Sequence, residues 1–127
     1  MGLPSMGAKR RVVIIDDEAA FAETLTKIVK SFGFDVTVAT DARSSYTFAL
    51  ENSDIVFVDV LMPNVSGLQV LEKLAQQKAK ASIVLMSGHL ERLDEAEKLA
   101  RKLELNLIGA LEKPFRVEDV RDVLLGA

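Results

Sequence analysis

Apolar residues along this chain follow two alternating rhythms. The runs RVVII at 11–15, DIVFVD at 54–59 and SIVLM at 82–86 are β-branched and nearly uninterrupted inside their ends, as expected of strands buried on both faces. DVTVA at 35–39 alternates apolar with polar and reads as a strand nearer a sheet edge. A short last strand is predicted over 108–111. Between these runs, apolar side chains recur every three or four positions. The sets are Phe21, Leu25, Ile28, Val29 and Phe32; Leu68, Leu71, Leu74 and Ala75; Leu93, Ala96, Leu99, Ala100 and Leu103; and Val117, Val120 and Leu124. That spacing predicts amphipathic helices. Gly33 stops the first of them, and Asp41 caps a further helix, second in chain order, running to about Glu51.

Five strands alternating with five helices imply right-handed βαβ crossovers. The expected fold is α/β, a doubly wound five-stranded parallel sheet with helices on both faces. No repeat, low-complexity tract or interior linker breaks the alternation, so residues 10–127 read as one domain. Residues 1–9, small and turn-prone around a second Met, read as a flexible leader or a cloning remnant.

Composition narrows the chemistry. At 127 residues the chain can bury roughly two-thirds of its unfolded surface, enough for a core without staples. It has no cysteine, which excludes disulfides, thiolate zinc sites and cysteine nucleophiles. A net charge of −3 sets a nucleic-acid-binding surface aside. No apolar run approaches the ~18–20 residues of a membrane span, and the first residues lack the pattern of a signal peptide. Met6 stands where a myristoylation signal needs Ser or Thr.

In a doubly wound sheet, ligands bind outside the carboxyl ends of the strands. The unusual polar residues of this chain stand there: Asp16 and Asp17, Asp59, Ser87 and Lys113. Carboxylates brought together repel one another and raise each other's pKa values, and a divalent cation reverses that logic. Hard oxygen donors without His or Cys point to Mg²⁺, with Mn²⁺ the alternative. An Asp beside such a metal can act as a nucleophile and form an aspartyl phosphate. Lys113 offers a positive charge to phosphoryl oxygens and Ser87 a hydroxyl donor. Each piece alone has a plain reading. Asp16–Asp17 can cap a helix, Asp59 can be a loop carboxylate, Ser87–Gly88 can begin a loop, and Lys113–Pro114 can be a turn. Their joint occurrence at four strand ends favours the chemical one.

The ordered set Asp16–Asp17, Asp59-Val60-Leu61-Met62-Pro63 with Gly67, Ser87–Gly88 and Lys113-Pro114-Phe115 resembles the response regulator receiver domain of two-component signalling, of the chemotaxis-regulator type. The likeness covers nearly everything from Arg10 onward. It implies a flavodoxin-like sheet of strand order 2-1-3-4-5 and phosphoryl acceptance on Asp59 from a histidine kinase or phosphotransfer protein. It further implies Mg²⁺ held by Asp17 and Asp59, by Asp16 chiefly through water, and by the Leu61 carbonyl. Ser87 and Lys113 would contact the phosphoryl group, and the peptide before Pro114 would be cis. The protein would be a cytoplasmic monomer or weak dimer and not a conventional enzyme, catalysing only its own phosphorylation and dephosphorylation. It would contact neither nucleic acid nor membrane directly. The resemblance leaves the downstream target or fused output domain open.

One departure stands out. Family members usually carry Tyr or Phe three residues before the lysine, and here that position is Ala110. The usual aromatic switch therefore cannot operate, and a weaker or differently routed response is expected. His89 and Leu61 occupy positions that influence how fast water attacks the phosphate. Leu61 gives water no polar handle, whereas His89 reads better as a solvated loop residue. Rival functions fit less well. A hydrolase of the haloacid-dehalogenase type needs a second Asp at Leu61, and a flavodoxin-like electron carrier needs a Ser/Thr/Gly-rich loop where the chain is acidic. A scaffold that takes no phosphate would have little use for the full set of chemical residues.

Overall fold

Strands with both faces apolar need a layer of helices on each side, and that requirement organises the chain. The computed structural model describes residues 10–39, 52–62 and 66–126. In chain order these form β1 (Arg11–Ile15), α1 (Ala19–Ser31), β2 (Asp35–Ala39), β3 (Ile55–Asp59), α2 (Gly67–Gln76), β4 (Ser82–Ser87), α3 (Leu90–Lys102), β5 (Asn106–Glu112) and α4 (Val117–Leu125). All pairings are parallel, and the sheet order is β2-β1-β3-β4-β5. Residues 1–9, the helix expected over 41–51, and Pro63 and Asn64 lie outside the described residues.

Alternation along the central strands divides the core in two. Val13, Ile15, Val56, Val58, Ile83 and Leu85 face Val70, Leu71 and Leu74 of α2 and Leu93, Ala96 and Ala100 of α3. Val12, Ile14, Ile55, Phe57, Val84 and Met86 face Ala22, Leu25 and Val29 of α1 and Val120 and Leu124 of α4. Every residue of β3 and β4 is buried, which explains their near-continuous apolar runs. β2 lies at an edge, and its Asp35, Thr37 and Val38 are exposed.

Local chemistry sets the element ends. Gly33 holds φ 94° and donates its N–H to the Lys30 carbonyl, closing α1. Ser66 opens α2: its Oγ accepts from the Leu68 N–H at 3.0 Å, and its own N–H reaches Gln69 Oε1 at 3.1 Å. Two turns that feed strands from the opposite end of the sheet, at Lys78 before β4 and Glu104 before β5, hold φ 54° and 61°. The last strand corrects the expectation of 108–111. It pairs with β4 from Ser82↔Asn106 to Ser87↔Glu112. Its polar ends read as turn residues, but the Asn106 amide bonds Ser82 Oγ at 3.0 Å and an edge strand tolerates an exposed Glu112. Among the described residues, no helix is long and apolar enough to cross a membrane.

Candidate metal and phosphoryl site

The chain runs outward from β1 to β2 and then returns to β3 on β1's other side, which leaves a crevice beyond the carboxyl ends of β1 and β3. Asp16 follows β1, Asp59 closes β3, Ser87 closes β4 and Lys113 follows β5. Each is thereby one peptide bond or less from a hydrogen-bonded strand, so its backbone is fixed by the sheet. Carboxylate oxygens of Asp16, Asp17 and Asp59 all lie within 4.8 Å of one another. Asp16 is fully buried and Asp59 is 3% exposed, while Asp17 faces solvent.

Lys113 reaches into this cluster. Its Nζ lies 2.8 Å from Asp16 Oδ2, 3.2 Å from Glu18 Oε1 and 3.4 Å from Asp59 Oδ2. The second oxygens are also held: Asp16 Oδ1 accepts from the Glu18 N–H at 2.9 Å, and Asp59 Oδ1 from the Leu61 N–H at 3.2 Å. Burial pushes Asp59 up, and the Asp16 carboxylate adds to the rise. Lys113 and the Leu61 N–H offset this only in part, leaving a pKa of about 7 against an ordinary 3.8. Burial pulls the Lys113 ammonium down, but its hydrogen bonds and the charges of Asp16 and Asp59 outweigh that and raise its pKa. A cluster with more carboxylate than ammonium, all oxygen donors, and one face open to solvent suits a hard divalent cation.

The Ser87 hydroxyl is buried and accepts from the His89 N–H at 3.0 Å, while the Ser87 carbonyl accepts from the Lys113 N–H at 2.8 Å. The two residues are therefore joined through the backbone rather than through their side chains. The Lys113–Pro114 peptide is cis. Glu18, Phe21, Asp59, Leu61, Gly88, His89, Lys113 and Pro114 line a cleft of about 370 Å³ above the cluster. His89 is exposed on the cleft wall at the start of α3, and Leu61 is 48% exposed opposite it. Ala110 is half-buried in β5, paired with Leu85 and outside the cleft lining.

Two cleft contacts escaped sequence reasoning. Nothing in the sequence pattern singles out Glu18, yet it takes one side of the Lys113 ammonium. Phe21 was read as part of the apolar stripe of α1, yet its ring centroid lies 4.1 Å from Lys113 Nζ. Both sit on the first turn after Asp16–Asp17, close enough in sequence to have been flagged as neighbours of that pair.

Gly67 supports the site from below. A Cβ there would stand 2.5 Å from the Val60 Cα and 2.8 Å from the Asp59 carbonyl. Gly67→Ala must therefore push α2 off the end of β3. We expect a loss of about 1–3 kcal/mol, read as a lower urea midpoint, together with weakened metal binding because the displaced backbone carries Asp59. An unchanged midpoint would mean that α2 shifts freely and does not buttress the site.

The family model for the response regulator receiver domain matches residues 12–125. The chain belongs to this family. As a receiver domain of two-component response regulators, it has relatives among transcriptional regulators. FixJ of Bradyrhizobium diazoefficiens is 31% identical over 112 residues, covering 87% of this chain and 52% of FixJ. The receiver domain spans about half the length of the curated relatives it matches. Among solved structures, a response regulator from Colwellia psychrerythraea superposes with a TM-score of 0.81 at 33% identity, covering 93% of this chain and 95% of its own. A response regulator from Burkholderia pseudomallei, solved with a phosphorylated aspartic acid, calcium ion and citrate, gives a TM-score of 0.74 at 25% identity, covering 91% of this receiver domain and 66% of that chain.

Proposed function

We propose that Asp59 accepts a phosphoryl group from a phosphohistidine on a sensor kinase or phosphotransfer protein. The observation that carries this reading is the Asp16–Asp17–Asp59 cluster, with its oxygens within 4.8 Å and the Lys113 ammonium between two of its members. Asp59 is the member of the cluster that lines the cleft, so an incoming phosphorus meets its carboxylate first. Its oxygen forms the new P–O bond while the donor's P–N bond breaks and the electron pair leaves with the imidazole. Asp16, Asp17, Asp59 and the Leu61 carbonyl would hold Mg²⁺, which supplies charge neutralisation for the carboxylates and the phosphoryl oxygens.

The chain's own groups do the remaining work. Lys113 is placed to pair with a phosphoryl oxygen once its carboxylate partners are engaged elsewhere. Ser87, whose oxygen already accepts from His89, retains its proton for donation to the same group. Hydrolysis of the aspartyl phosphate would be self-catalysed in the cleft, where Leu61 offers water no polar contact and the His89 imidazole stands on the wall. Because Ala110 lacks a ring, the response would leave through the backbone link between Ser87 and Lys113 rather than through an aromatic side chain.

Intact-mass spectrometry after incubation with acetyl phosphate tests this reading. A single phosphoryl adduct is expected with Mg²⁺ and none with EDTA. An adduct that forms equally well in EDTA would overturn the role given to the acidic cluster.

A further inference from the structure

One aromatic ring packs against the edge of the core and also reaches the cleft. Phe21 lies on the first turn of α1 and lines the cleft. Its face meets Lys113 Nζ at 4.1 Å from the ring centroid, within the ~6 Å over which a ring quadrupole attracts a cation. The ring is itself held. Phe115 packs against it edge-on, with centroids 5.4 Å apart and an interplanar angle of 89°. Lys113 and Phe115 leave the same cis-Pro turn, so that turn clasps one ring from two sides.

The arrangement leaves the ammonium with two kinds of neighbour. The carboxylates of Asp16, Glu18 and Asp59 approach within 2.8–3.4 Å. The Phe21 ring faces it as well. A cation entering the cluster would take Asp16 and Asp59 away from the ammonium and leave Glu18, which is exposed, and the ring in place. Resting on the proposed phosphoryl acceptance, we propose that Phe21 is a positioning residue: its ring face holds the Lys113 ammonium at the cleft while Asp16 and Asp59 are occupied by metal, so that the lysine meets the incoming phosphoryl group already in place. Phe21 touches no reacting atom. It acts through Lys113, and Phe115 acts through Phe21. The lysine stem is long and flexible, and without the ring its charge would have to be gathered from many rotamers at each encounter.

The experiment compares the native chain with Phe21→Leu and Phe21→Tyr. Leucine keeps an apolar side chain on the α1 turn but has no π face, and tyrosine restores the face. With acetyl phosphate and saturating Mg²⁺, Phe21→Leu is expected to lower kcat/KM for adduct formation by about tenfold, and Phe21→Tyr to restore it to within about twofold. Mg²⁺ affinity, measured separately by calorimetry, should be unchanged or tighter in Phe21→Leu, because the carboxylates are untouched. A second readout needs no phosphorylation. The Lys113 ε-methylene resonance of the Mg²⁺-loaded native chain should be shifted upfield by the ring current, return toward its random-coil position in Phe21→Leu, and be shifted again in Phe21→Tyr.

An unshifted native Lys113 resonance, or a Phe21→Leu chain that phosphorylates at the native rate, overturns the inference. So does a parallel fall in Mg²⁺ affinity and phosphorylation, which marks a general loosening of the α1 turn. The absence of any adduct on the native chain would instead overturn the proposed phosphoryl acceptance, leaving the resonance shift to decide the clasp by itself.

Discussion

Asp59→Asn is expected to abolish the metal-dependent adduct completely and, in the absence of metal, to make the chain more stable. The first half follows from losing the nucleophile, since an amide oxygen cannot form the acyl phosphate. The second follows from where the carboxylate sits. Asp59 is 3% exposed beside the fully buried Asp16. Its pKa is raised from 3.8 to about 7, through burial first and the Asp16 charge second. A carboxyl raised in the folded state binds its proton more tightly there than in the unfolded chain. Its contribution to stability is therefore fully present below about pH 4 and is lost as pH rises through about 7.

Metal-free native protein should accordingly have a lower urea midpoint at pH 8 than at pH 5, and Mg²⁺ should restore it. Asp59→Asn should flatten that slope and gain on the order of 1–2 kcal/mol at pH 8. This is less than the full shift corresponds to, because Lys113 loses one of its partners. A metal-free Asn variant that is less stable than native at pH 8 would show that the Lys113 pairing outweighs the carboxylate repulsion.

Lys113→Met should separate two quantities that ordinarily fall together. The ammonium lies 2.8 Å from Asp16 and 3.4 Å from Asp59, inside the cluster a divalent cation would enter. Metal and lysine therefore compete for the same oxygens. Methionine keeps most of the stem and removes the charge, so Mg²⁺ affinity should rise several-fold. Phosphorylation by acetyl phosphate should nevertheless slow by on the order of 10²-fold, the usual cost of removing one group aimed at developing charge. Metal-free protein should also lose stability, since two buried carboxylates are left without their counter-charge. Calorimetric Mg²⁺ titration and the rate of adduct growth check both signs. If affinity and rate dropped together, Lys113 would be a structural brace and not a partner of the phosphoryl group.

The parallel sheet was legible because its strands are buried on both faces. IVFVD, and SIVLMS after its first residue, have no polar interruption until Asp59 and Ser87, so each strand end is marked. β5 was underestimated because Asn106 and Glu112 look like turn residues, and only pairing with β4 makes them strand. The acidic cluster could be foreseen from topology, since a parallel sheet brings the carboxyl ends of its strands to one edge. The contacts around Lys113 could not. Phe21 satisfies the helical apolar rhythm whether it only packs against the core or meets an ammonium as well, and the second contact comes from Lys113, distant in sequence, beside Phe115. Gly67 belongs to the motif set that carries the resemblance, but only the structure gives the reason: its lack of a Cβ is what lets α2 begin against the Asp59 carbonyl.

The left-handed turns at Lys78 and Glu104 make the domain a two-ended object. Both precede strands at the end of the sheet away from the carboxylates, and those strands of six and seven residues span about 20–23 Å. Glycine or asparagine at either position would relieve an unfavourable conformation without touching the cleft. A fluorophore or a fused module attached at these turns would sit one sheet length from the acidic cluster and leave the cleft clear.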